Sequence, residues 1–542
     1  MQKNIFRGKW ICPEAFSDLK PLNMYHKERE APSFGGEHND ELRNYHALIH
    51  REFELKKESS RYLLKFSADD YAKVYINGKF VGQGPTPGYI EEYNYCEIDV
   101  TEYLVDGKNE ITAHLYYQGL INRVWISADN RMGFIADLVD VNGQVVICTD
   151  SMWEYAKIPN YTGMRTTGYE TQYLEDYDSR LKREPYAPVS VRKNNDIIFK
   201  SMPTPMLQIY NKSPIVCKKL SGDGIFYDFG SEITATLQIT ATGQSGDTID
   251  ILCGEELDDS SPFKVRYQMR CNCEYKETWT LADGENTLDQ FDYKAFRYVA
   301  LIPSSESVCV KNVVAVVRHA QFDDNACVLK AEDKVLQSVF DICKTGVKFG
   351  TQEVYVDCPT REKGQYAGDM TVTSTSQLWL TGNPFMLEKG IRDQASSAKI
   401  DAGLMSVISG AYMQEIADYS LQFPLLLLQH YKFTGDKDFL RSMLPIAENM
   451  VAHFKKYERE DGLIEGVTDK WNLVDWPDNL RDGYDFPMTN PIGPGVHNVM
   501  NAFYIGCILN IEQIKDILGI EHNKQSKTLI NSFNRVFFRC EL

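Results

Sequence analysis

The sequence lacks the features that mark membrane and secreted proteins. Its 542 residues contain no apolar run of about 18 residues, the length that a membrane-spanning helix needs. The N-terminal stretch MQKNIFRGKWICPEAF has neither the apolar core nor the small-residue cleavage site of a secretory signal peptide. The 13 cysteines are scattered, and the close pair Cys271 and Cys273 does not have the CxxC spacing of redox and zinc motifs. We therefore predict a cytoplasmic protein with reduced thiols.

Positive charge is also scarce. The formal net charge is -18 at pH 7, and no basic run interrupts the acidic balance. Because like charges repel, this composition argues against polyphosphate chains and anionic lipid surfaces as partners. We predict that the protein binds neither nucleic acid nor membranes.

Motifs for metal and phosphate binding are missing. His46 and His50 are four residues apart, but no glutamate follows His46 as the zinc-protease motif requires, so surface or packing roles suit them better. The segment GQGPTPG at residues 82–88 contains two prolines, which favour a rigid turn over the start of a phosphate-binding helix. We predict no metal site and no cofactor.

The sequence does contain enough material for several domains, since a typical domain has roughly 150 residues. The first 320 residues or so show the alternating and β-branched runs of strands, and the pair Asn77-Gly78 predicts a tight hairpin turn. Residues 185–210 are rich in proline and polar side chains, which predicts a linker. Strand patterns resume at residue 225, so a second β-domain is expected.

From about residue 325 the apolar positions repeat with helical spacing. Helices are predicted over 333–350, 421–433 and 437–458. Thr-Gly turns at Thr381-Gly382 and Thr434-Gly435 each join two helical segments, a weak repeat that is typical of stacked helical hairpins. The predicted fold is therefore two N-terminal all-β sandwich domains followed by an α/α toroid of the six-hairpin type. The predicted domain limits are 1–185, 186–322 and 323–542.

The stretch DCPTREKGQYAGDM, residues 357–370, places three carboxylates where a loop meets a helix. The acids could simply cap free N–H groups and complement the helix dipole, and Arg361 could pair with a neighbour. The alternative is the chemistry of glycosidic cleavage. One acid stays protonated and donates to the leaving oxygen, while other carboxylates bind hydroxyls or stabilise positive charge on the sugar ring. Spacing alone favours the capping interpretation.

The motif resembles that of the bacterial α-L-rhamnosidases, glycoside hydrolase family 78. The resemblance lies in the Asp-Cys-Pro start, the arginine and acid that follow, and the aromatic residue before the closing Gly-Asp. The segments YDFGSEITATLQITATGQSGDTIDILCGEEL and FDYKAFRYVALI resemble the β-domain that precedes the catalytic barrel of that family, and YINGKFVGQGP resembles its N-terminal sandwich. EIADYSLQF and DKWNLVDWPD resemble barrel segments near the sugar. The resemblance covers most of the chain and outweighs the capping interpretation.

The resemblance implies a role for each matching residue. Glu362 matches the general acid, while Asp357 and Asp369 match acids that hold the rhamnose hydroxyls and stabilise the transition state. Arg361 matches an arginine of the site, and Tyr366 matches the aromatic residue that packs on the sugar.

The sequence departs from the commoner form of the motif at one point. That form has two acids after the arginine and is one residue longer, whereas here Lys363 follows Glu362. The assignment of Glu362 as the proton donor therefore depends on this chain having a shorter subtype of the motif.

A second group of candidate sugar-binding residues, Trp471, Asp475 and Trp476, lies in DKWNLVDWPD. Pyranose C–H faces pack on indole rings and carboxylates bind hydroxyls, although core packing is an equal alternative for each tryptophan. Asp418 and His497 are further candidates for the same cavity. For these two, helix capping and packing are the simpler explanations.

The resemblance implies an inverting exo-glycosidase that removes terminal non-reducing α-L-rhamnose from rhamnose-containing glycosides or oligosaccharides. Inversion needs a second carboxylate, about 6.5–9.5 Å from the acid, to activate water. The family's base lies in a later barrel segment with no counterpart here, so we expect an incomplete barrel, a base beyond residue 542 and poor hydrolysis by this chain alone. Glu415 and Glu465 are the alternative bases within the chain. Two other functions stay open: a non-catalytic carbohydrate-binding protein, and an α/α-barrel glycosidase for another sugar.

Overall fold

A computed structural model describes ten segments of the chain, namely residues 5–22, 39–89, 92–120, 122, 124, 129–195, 197–220, 224–398, 415–467 and 495–538. The chain divides into two compact units. The first comprises Met1–Phe322, Lys348–Glu353 and Cys358–Lys363, and the second comprises Asp323–Val347, Val354–Asp357 and Gly364–Leu542.

The first unit is built from β-strands. In chain order the first sixteen are β1 Ile11–Cys12, β2 Tyr45–Leu55, β3 Tyr62–Asp69, β4 Tyr71–Ile76, β5 Lys79–Gly84, β6 Glu92–Asp99, β7 Gly107–Tyr117, β8 Gly133–Asp140, β9 Val145–Cys148, β10 Glu154–Lys157, β11 Thr166–Thr167, β12 Gln172–Tyr173, β13 Tyr177–Asp178, β14 Ala187–Pro188, β15 Ser190–Val191 and β16 Ile198–Ser201. The next ten are β17 Gln208–Lys212, β18 Val216–Lys219, β19 Ile225–Gly243, β20 Thr248–Gly254, β21 Glu256–Leu257, β22 Val265–Arg266, β23 Lys276–Thr280, β24 Gly284–Asp289, β25 Lys294–Pro303 and β26 Cys309–His319.

Two sheets form the first sandwich. One has the order β15-β1-β8-β3-β6-β16 with β9 beside β8, and the other has the order β14-β10-β2-β7-β4-β5. Alternate residues of both sheets are buried in one core that includes Leu64 and Phe134 from the first sheet and Ile49 and Val74 from the second. Asn77 and Gly78 take positive φ values of 51° and 73° between β4 and β5, so the predicted hairpin turn is confirmed.

The predicted linker over residues 185–210 is wrong. Strand β14 pairs with β10, β15 pairs with β1, and β16 runs parallel to β6, so this segment adds edge strands to both sheets of the first sandwich. Arg192 within it is buried and lies 2.6 Å from Asp69. Proline and polar residues suit short edge strands as well as linkers, because an edge strand has one unpaired side.

A nine-stranded sheet forms the second β region. Its order is β13-β23-β20-β25-β19-β26-β17, with β18 and β24 also pairing with β19. The register of β19 against β25 shifts between Asp228 and Ile233, where the long strand is irregular. Phe229, Leu237 and Trp279 lie in the core of this region. The small pairs β11-β12 and β21-β22 stand apart from the large sheet.

The second unit is helical. Its described helices are α1 Lys334–Phe349, α2 Ala367–Thr381, α3 Phe385–Ser397, α4 Ala417–Ser420, α5 Phe423–Thr434, α6 Lys437–Phe454, α7 Asn498–Leu518 and α8 Ser526–Phe537. The last two residues of α1 fall in the first unit. The predicted helices over 333–350, 421–433 and 437–458 are confirmed as α1, α5 and α6. Among the residues that the structure describes, no helix is both long and apolar enough to cross a membrane.

The two Thr-Gly turns have the same construction, as the repeat predicts. Gly382 and Gly435 end α2 and α5 in the left-handed conformation, with φ values of 68° and 72°. The threonine hydroxyl before each glycine accepts a hydrogen bond from the backbone N–H two residues on, at 3.2 Å for Thr381 and 3.1 Å for Thr434. Each turn thus starts a new helix, α3 or α6, directly after the last.

Candidate active site

The stretch with the three carboxylates forms a narrow loop before α2. Within the first unit, the N–H of Lys363 donates to the carbonyl of Cys358 at 3.0 Å, which closes a turn around Glu362. Within the second unit, Asp357 and Gly364 are joined by two hydrogen bonds of 2.9 Å, one from the Asp357 N–H to the Gly364 carbonyl and one from the Gly364 N–H to the Asp357 carboxylate. The loop backbone is therefore fixed locally on either side of the candidate acid.

Backbone carbonyls hold the loop tip to the β-strands of the first unit. The Thr360 carbonyl accepts from the Tyr275 hydroxyl at 3.2 Å. The Arg361 carbonyl accepts from the Tyr169 N–H at 3.2 Å and from the Thr171 hydroxyl. Gly168 has a φ of +65°, and a Cβ there would lie 2.2 Å from the Arg361 oxygen. Only glycine allows this approach.

Lys363 is a buried anchor of the loop. Its ammonium donates to the Gln172 side-chain oxygen at 2.5 Å and to the Tyr293 carbonyl at 2.6 Å, and it lies 3.7 Å from Asp292. Burial lowers the pKa of Lys363 to about 8, against the opposing attraction of Asp292. Lys363, the residue that departs from the commoner motif, thus anchors the shorter loop to the first unit.

Glu362 remains accessible although both neighbours are fixed. Its side chain is 16% exposed and lies 3.7 Å from the Arg361 guanidinium, whose side chain is 34% exposed. A carboxyl group with this placement can meet a ligand from solvent, whereas Thr360 and Lys363 beside it are buried. The Arg361 guanidinium thus lies beside the Glu362 carboxylate, and the roles of both residues stay predictions.

Two further carboxylates lie near the loop tip in the first unit. Glu255 accepts a hydrogen bond from the Thr360 hydroxyl, and burial raises its pKa despite that bond. Burial and then the charge of Glu255 raise the pKa of Glu232 to about 7. The sequence carries no local signal for this pair, because β19 and the β20–β21 junction are brought to the loop by the sheet.

Asp357, Tyr366 and Asp369 belong to the second unit. Asp369 lies in the first turn of α2, where the helix dipole stabilises a negative charge, and Tyr366 occupies the N-cap position with 9% of its surface exposed. Gln365 donates to Asp393 of α3 at 3.1 Å, and Lys389 also binds that carboxylate. The helix start that carries Tyr366 and Asp369 is therefore tied to the next helix.

The other residues that the sequence suggests for the site differ in burial and in their contacts. His497 caps α7 by accepting from the Met500 N–H at 3.4 Å, and Asp418 is buried in the first turn of α4. Glu465 is half exposed and lies 3.6 Å from Arg459, whereas Glu415 is buried. Trp471, Asp475 and Trp476 lie outside the described residues, and their role stays a prediction.

Among the described residues, one group of side chains has ligand atoms close enough for a metal ion. The potential ligand atoms of His50, Glu52 and Glu110 all lie within 4.8 Å of one another. His50 pairs with Glu110 at 3.3 Å and Glu52 pairs with Lys108 at 2.9 Å, so ion pairs account for the arrangement. His46, the other histidine of the sequence pair, is buried against His114 with 3.1 Å between ring nitrogens. This is the packing role that the sequence favours.

Family models match both the helical domain and a β-domain of the chain. Residues 324–540 match the family model of the bacterial alpha-L-rhamnosidase 6 hairpin glycosidase domain. Residues 218–319 match the bacterial alpha-L-rhamnosidase concanavalin-like domain. The chain belongs to the bacterial α-L-rhamnosidase family. This agrees with the resemblance that the Asp357–Asp369 loop carries.

Rhamnosidases of known structure have the same fold. A glycoside hydrolase family 78 rhamnosidase of Bacillus sp. GL1 superposes with a TM-score of 0.79 at 12% identity, over 98% of this chain and 76% of that one. The α-L-rhamnosidase of Streptomyces avermitilis, solved with L-rhamnose, gives 0.71 at 18% identity over 92% and 49%. These similarities confirm the predicted class of β-sandwich domains followed by a six-hairpin helical domain.

A curated relative supports the same family by sequence. The α-L-rhamnosidase of Alteromonas sp. (strain LOR) is 24% identical over 341 residues, which cover 58% of this chain and 36% of that rhamnosidase. The matched part thus spans little more than a third of the relative's length.

Proposed function

We propose that this protein hydrolyses terminal α-L-rhamnosides with inversion of configuration, and that Glu362 is the general acid. The rhamnose-containing glycosides are the substrate class that the family membership supports. Inversion rests on the resemblance to family 78, in which a second carboxylate activates water from the opposite face of the sugar.

The placement of Glu362 is the observation that carries the proposal. A general acid must hold its carboxyl group at a fixed point within hydrogen-bond distance of the leaving oxygen. Glu362 meets this need because its neighbours Arg361 and Lys363 are bound to the β-strands through a backbone carbonyl and a buried ammonium. Its own side chain stays open to solvent and close to Arg361.

Asp357 and Asp369 have supporting roles in the proposal. A carboxylate at the start of α2 and another fixed against Gly364 can bind sugar hydroxyls and stabilise the positive charge of an oxocarbenium-like transition state. Tyr366 can supply an apolar edge for the sugar ring. Trp471, Asp475 and Trp476 are proposed to extend the sugar site on grounds of sequence alone.

The test is a panel of p-nitrophenyl glycosides together with direct titration of L-rhamnose. We expect slow release of nitrophenol from the α-L-rhamnoside, in line with the general-base segment that has no counterpart in the sequence, and none from the glucoside, galactoside or glucuronide. Proton NMR of the first turnovers should show β-L-rhamnose as the initial product. Glu362→Gln should reduce turnover by about 10²- to 10⁴-fold, whereas Glu285→Gln, on an exposed strand position, should leave it unchanged.

Other outcomes would redirect the proposal. Cleavage of a different sugar would indicate another α/α-barrel glycosidase. Tight binding of rhamnose with no turnover of any rhamnoside, even with sodium azide as a nucleophile that needs no general base, would favour a carbohydrate-binding protein. Full activity of Glu362→Gln would remove that residue from the acid role.

A further inference from the structure

The surface beside Glu362 in the first unit has a further use, which rests on the proposed function. A general acid lies about 2.6–3.2 Å from the oxygen that it protonates. The atoms beyond that oxygen belong to the leaving group. Residues that flank Glu362 are therefore the ones that a leaving group meets, whichever residues bind the rhamnose.

Tyr169 is held directly against this loop. Its N–H donates to the Arg361 carbonyl at 3.2 Å, and the glycine before it packs on the same oxygen with no room for a Cβ. The neighbouring turn is also fixed, since the Gly168 N–H donates to the Asn272 carbonyl at 3.0 Å. The position of Tyr169 relative to the acid is thus set by backbone contacts.

The ring of Tyr169 is exposed although its backbone is fixed. The residue keeps 44% of its surface open, far more than the buried Tyr275 and Tyr293 that also contact the loop. Its hydroxyl is hydrogen-bonded to the Cys271 thiol, which together with partial burial raises the pKa of Tyr169 to about 12, and Glu362 is among the charges that contribute. Tyr169 is therefore held by Arg361 at its backbone and by Cys271 at its hydroxyl.

A fixed and exposed aromatic ring suits a ligand that presents a flat apolar face. Sugar rings and planar phenols both present an apolar face that packs on an aromatic side chain, and a tyrosine that is already fixed loses little conformational entropy when it binds one. The hydrogen bond to Cys271 engages only the hydroxyl, and the 44% exposure of the residue leaves ring surface for a ligand.

We propose that Tyr169, with the turn at Cys271 and Asn272, forms the leaving-group subsite of this rhamnosidase and stacks on a ring in the aglycone. A sugar or a phenol can occupy it, since both have the face that the tyrosine binds. An acyclic leaving group gains nothing from it.

The test compares three rhamnosides on the Glu362→Gln background, where binding is measured without hydrolysis. The ligands are methyl α-L-rhamnoside, p-nitrophenyl α-L-rhamnoside and 4-O-α-L-rhamnosyl-D-glucose, with free L-rhamnose as the reference. We expect each ring-bearing ligand to bind more tightly than the methyl rhamnoside, by about 3- to 10-fold. Tyr169→Ala should abolish the difference while the affinity for L-rhamnose stays the same. Tyr169→Phe should keep the difference because the ring remains.

The outcomes separate this inference from the proposed function. If no ligand binds, including L-rhamnose, the proposed function is wrong and the subsite with it. If all four bind but Tyr169→Ala weakens them equally or not at all, the subsite is wrong and the function stands. If only the nitrophenyl ligand responds, the subsite takes phenols, and if only the rhamnosyl-glucose responds, it takes sugars. Tyr169→Leu, which also removes the ring, repeats the test should the alanine variant fail to fold.

Discussion

The close contact between Gly168 and the acid loop allows a sharp test of how the site is held. Gly168→Ala would place a Cβ 2.2 Å from the Arg361 carbonyl oxygen, whereas an ordinary contact is at least 3.4 Å. Both partners are backbone, so the loop and the 166–173 hairpin would have to separate by roughly 1 Å. The positive φ of +65° adds strain that alanine does not tolerate well.

Two separate costs follow from this geometry. The left-handed backbone costs an alanine about 1–2 kcal/mol, and the forced separation adds about 1–3 kcal/mol. A shift of the acid by about 1 Å should also lower kcat on p-nitrophenyl α-L-rhamnoside by about 10²-fold. Gly143→Ala is the matched control, because Gly143 has a φ of +76° and its Cβ would meet no atom within 4 Å. It should show the first cost alone.

The assay is urea unfolding followed by tryptophan fluorescence, together with kcat. We expect Gly168→Ala to lose more stability than Gly143→Ala and to be the only one of the two with impaired turnover. Equal effects of the two variants on both measurements would refute the claim that the contact with Arg361 positions Glu362.

Three further predictions concern the site, the first sandwich and the helical unit. Asp357→Asn and Asp369→Asn should each reduce rhamnoside turnover by about 10²-fold or more with unchanged circular dichroism, since charge is lost while shape is kept, and near-normal rates in both would contradict the assignment. Burial, with a smaller contribution from Lys73, lowers the pKa of His114 to about 3. Below its unfolded value of about 6.5 the unfolded chain therefore binds a proton that the folded chain does not, and stability falls as pH falls towards 3. Between pH 7 and 4.5 the wild type should lose about 2–3 kcal/mol more than His114→Phe, and parallel pH curves would disprove this. Asp436 caps α6 by accepting from the N–H groups of Asp438 and Phe439, so Asp436→Ala should cost about 1 kcal/mol, whereas Asp438→Ala, on the exposed helix surface, should cost less in the same thermal melts.

Features with local causes were predictable from the sequence. The Asn77-Gly78 turn depends on two residues that tolerate positive φ, and α5 and α6 depend on apolar spacing and on the turn at Thr434-Gly435. The loop of Glu362 and the helix that follows it were predictable in the same way, because proline and glycine residues interrupt the helical pattern.

Features with distant causes were not predictable. Lys363 is fixed by Gln172 and Tyr293, which are 191 and 70 residues away in the chain, and no local pattern marks such partners. The strands after residue 185 were mistaken for a linker because β14 and β15 have two residues each, too short for an alternating pattern. Gly168 and Tyr169 contact Arg361 only in the folded chain, so no local pattern marks them as site residues.

The most direct test of the central claim, that Glu362 protonates the leaving oxygen, is a comparison of two leaving groups. Phenyl α-L-rhamnoside needs a proton donor, whereas 2,4-dinitrophenyl α-L-rhamnoside releases a stable anion without one. Sodium azide in the assay provides a nucleophile that requires no general base, so the measurement reports on the acid alone. We predict that Glu362→Gln lowers kcat/KM by about 10²- to 10⁴-fold on the phenyl substrate and by no more than about 10-fold on the dinitrophenyl substrate. Equal losses on both substrates, or no loss on either, would contradict the claim.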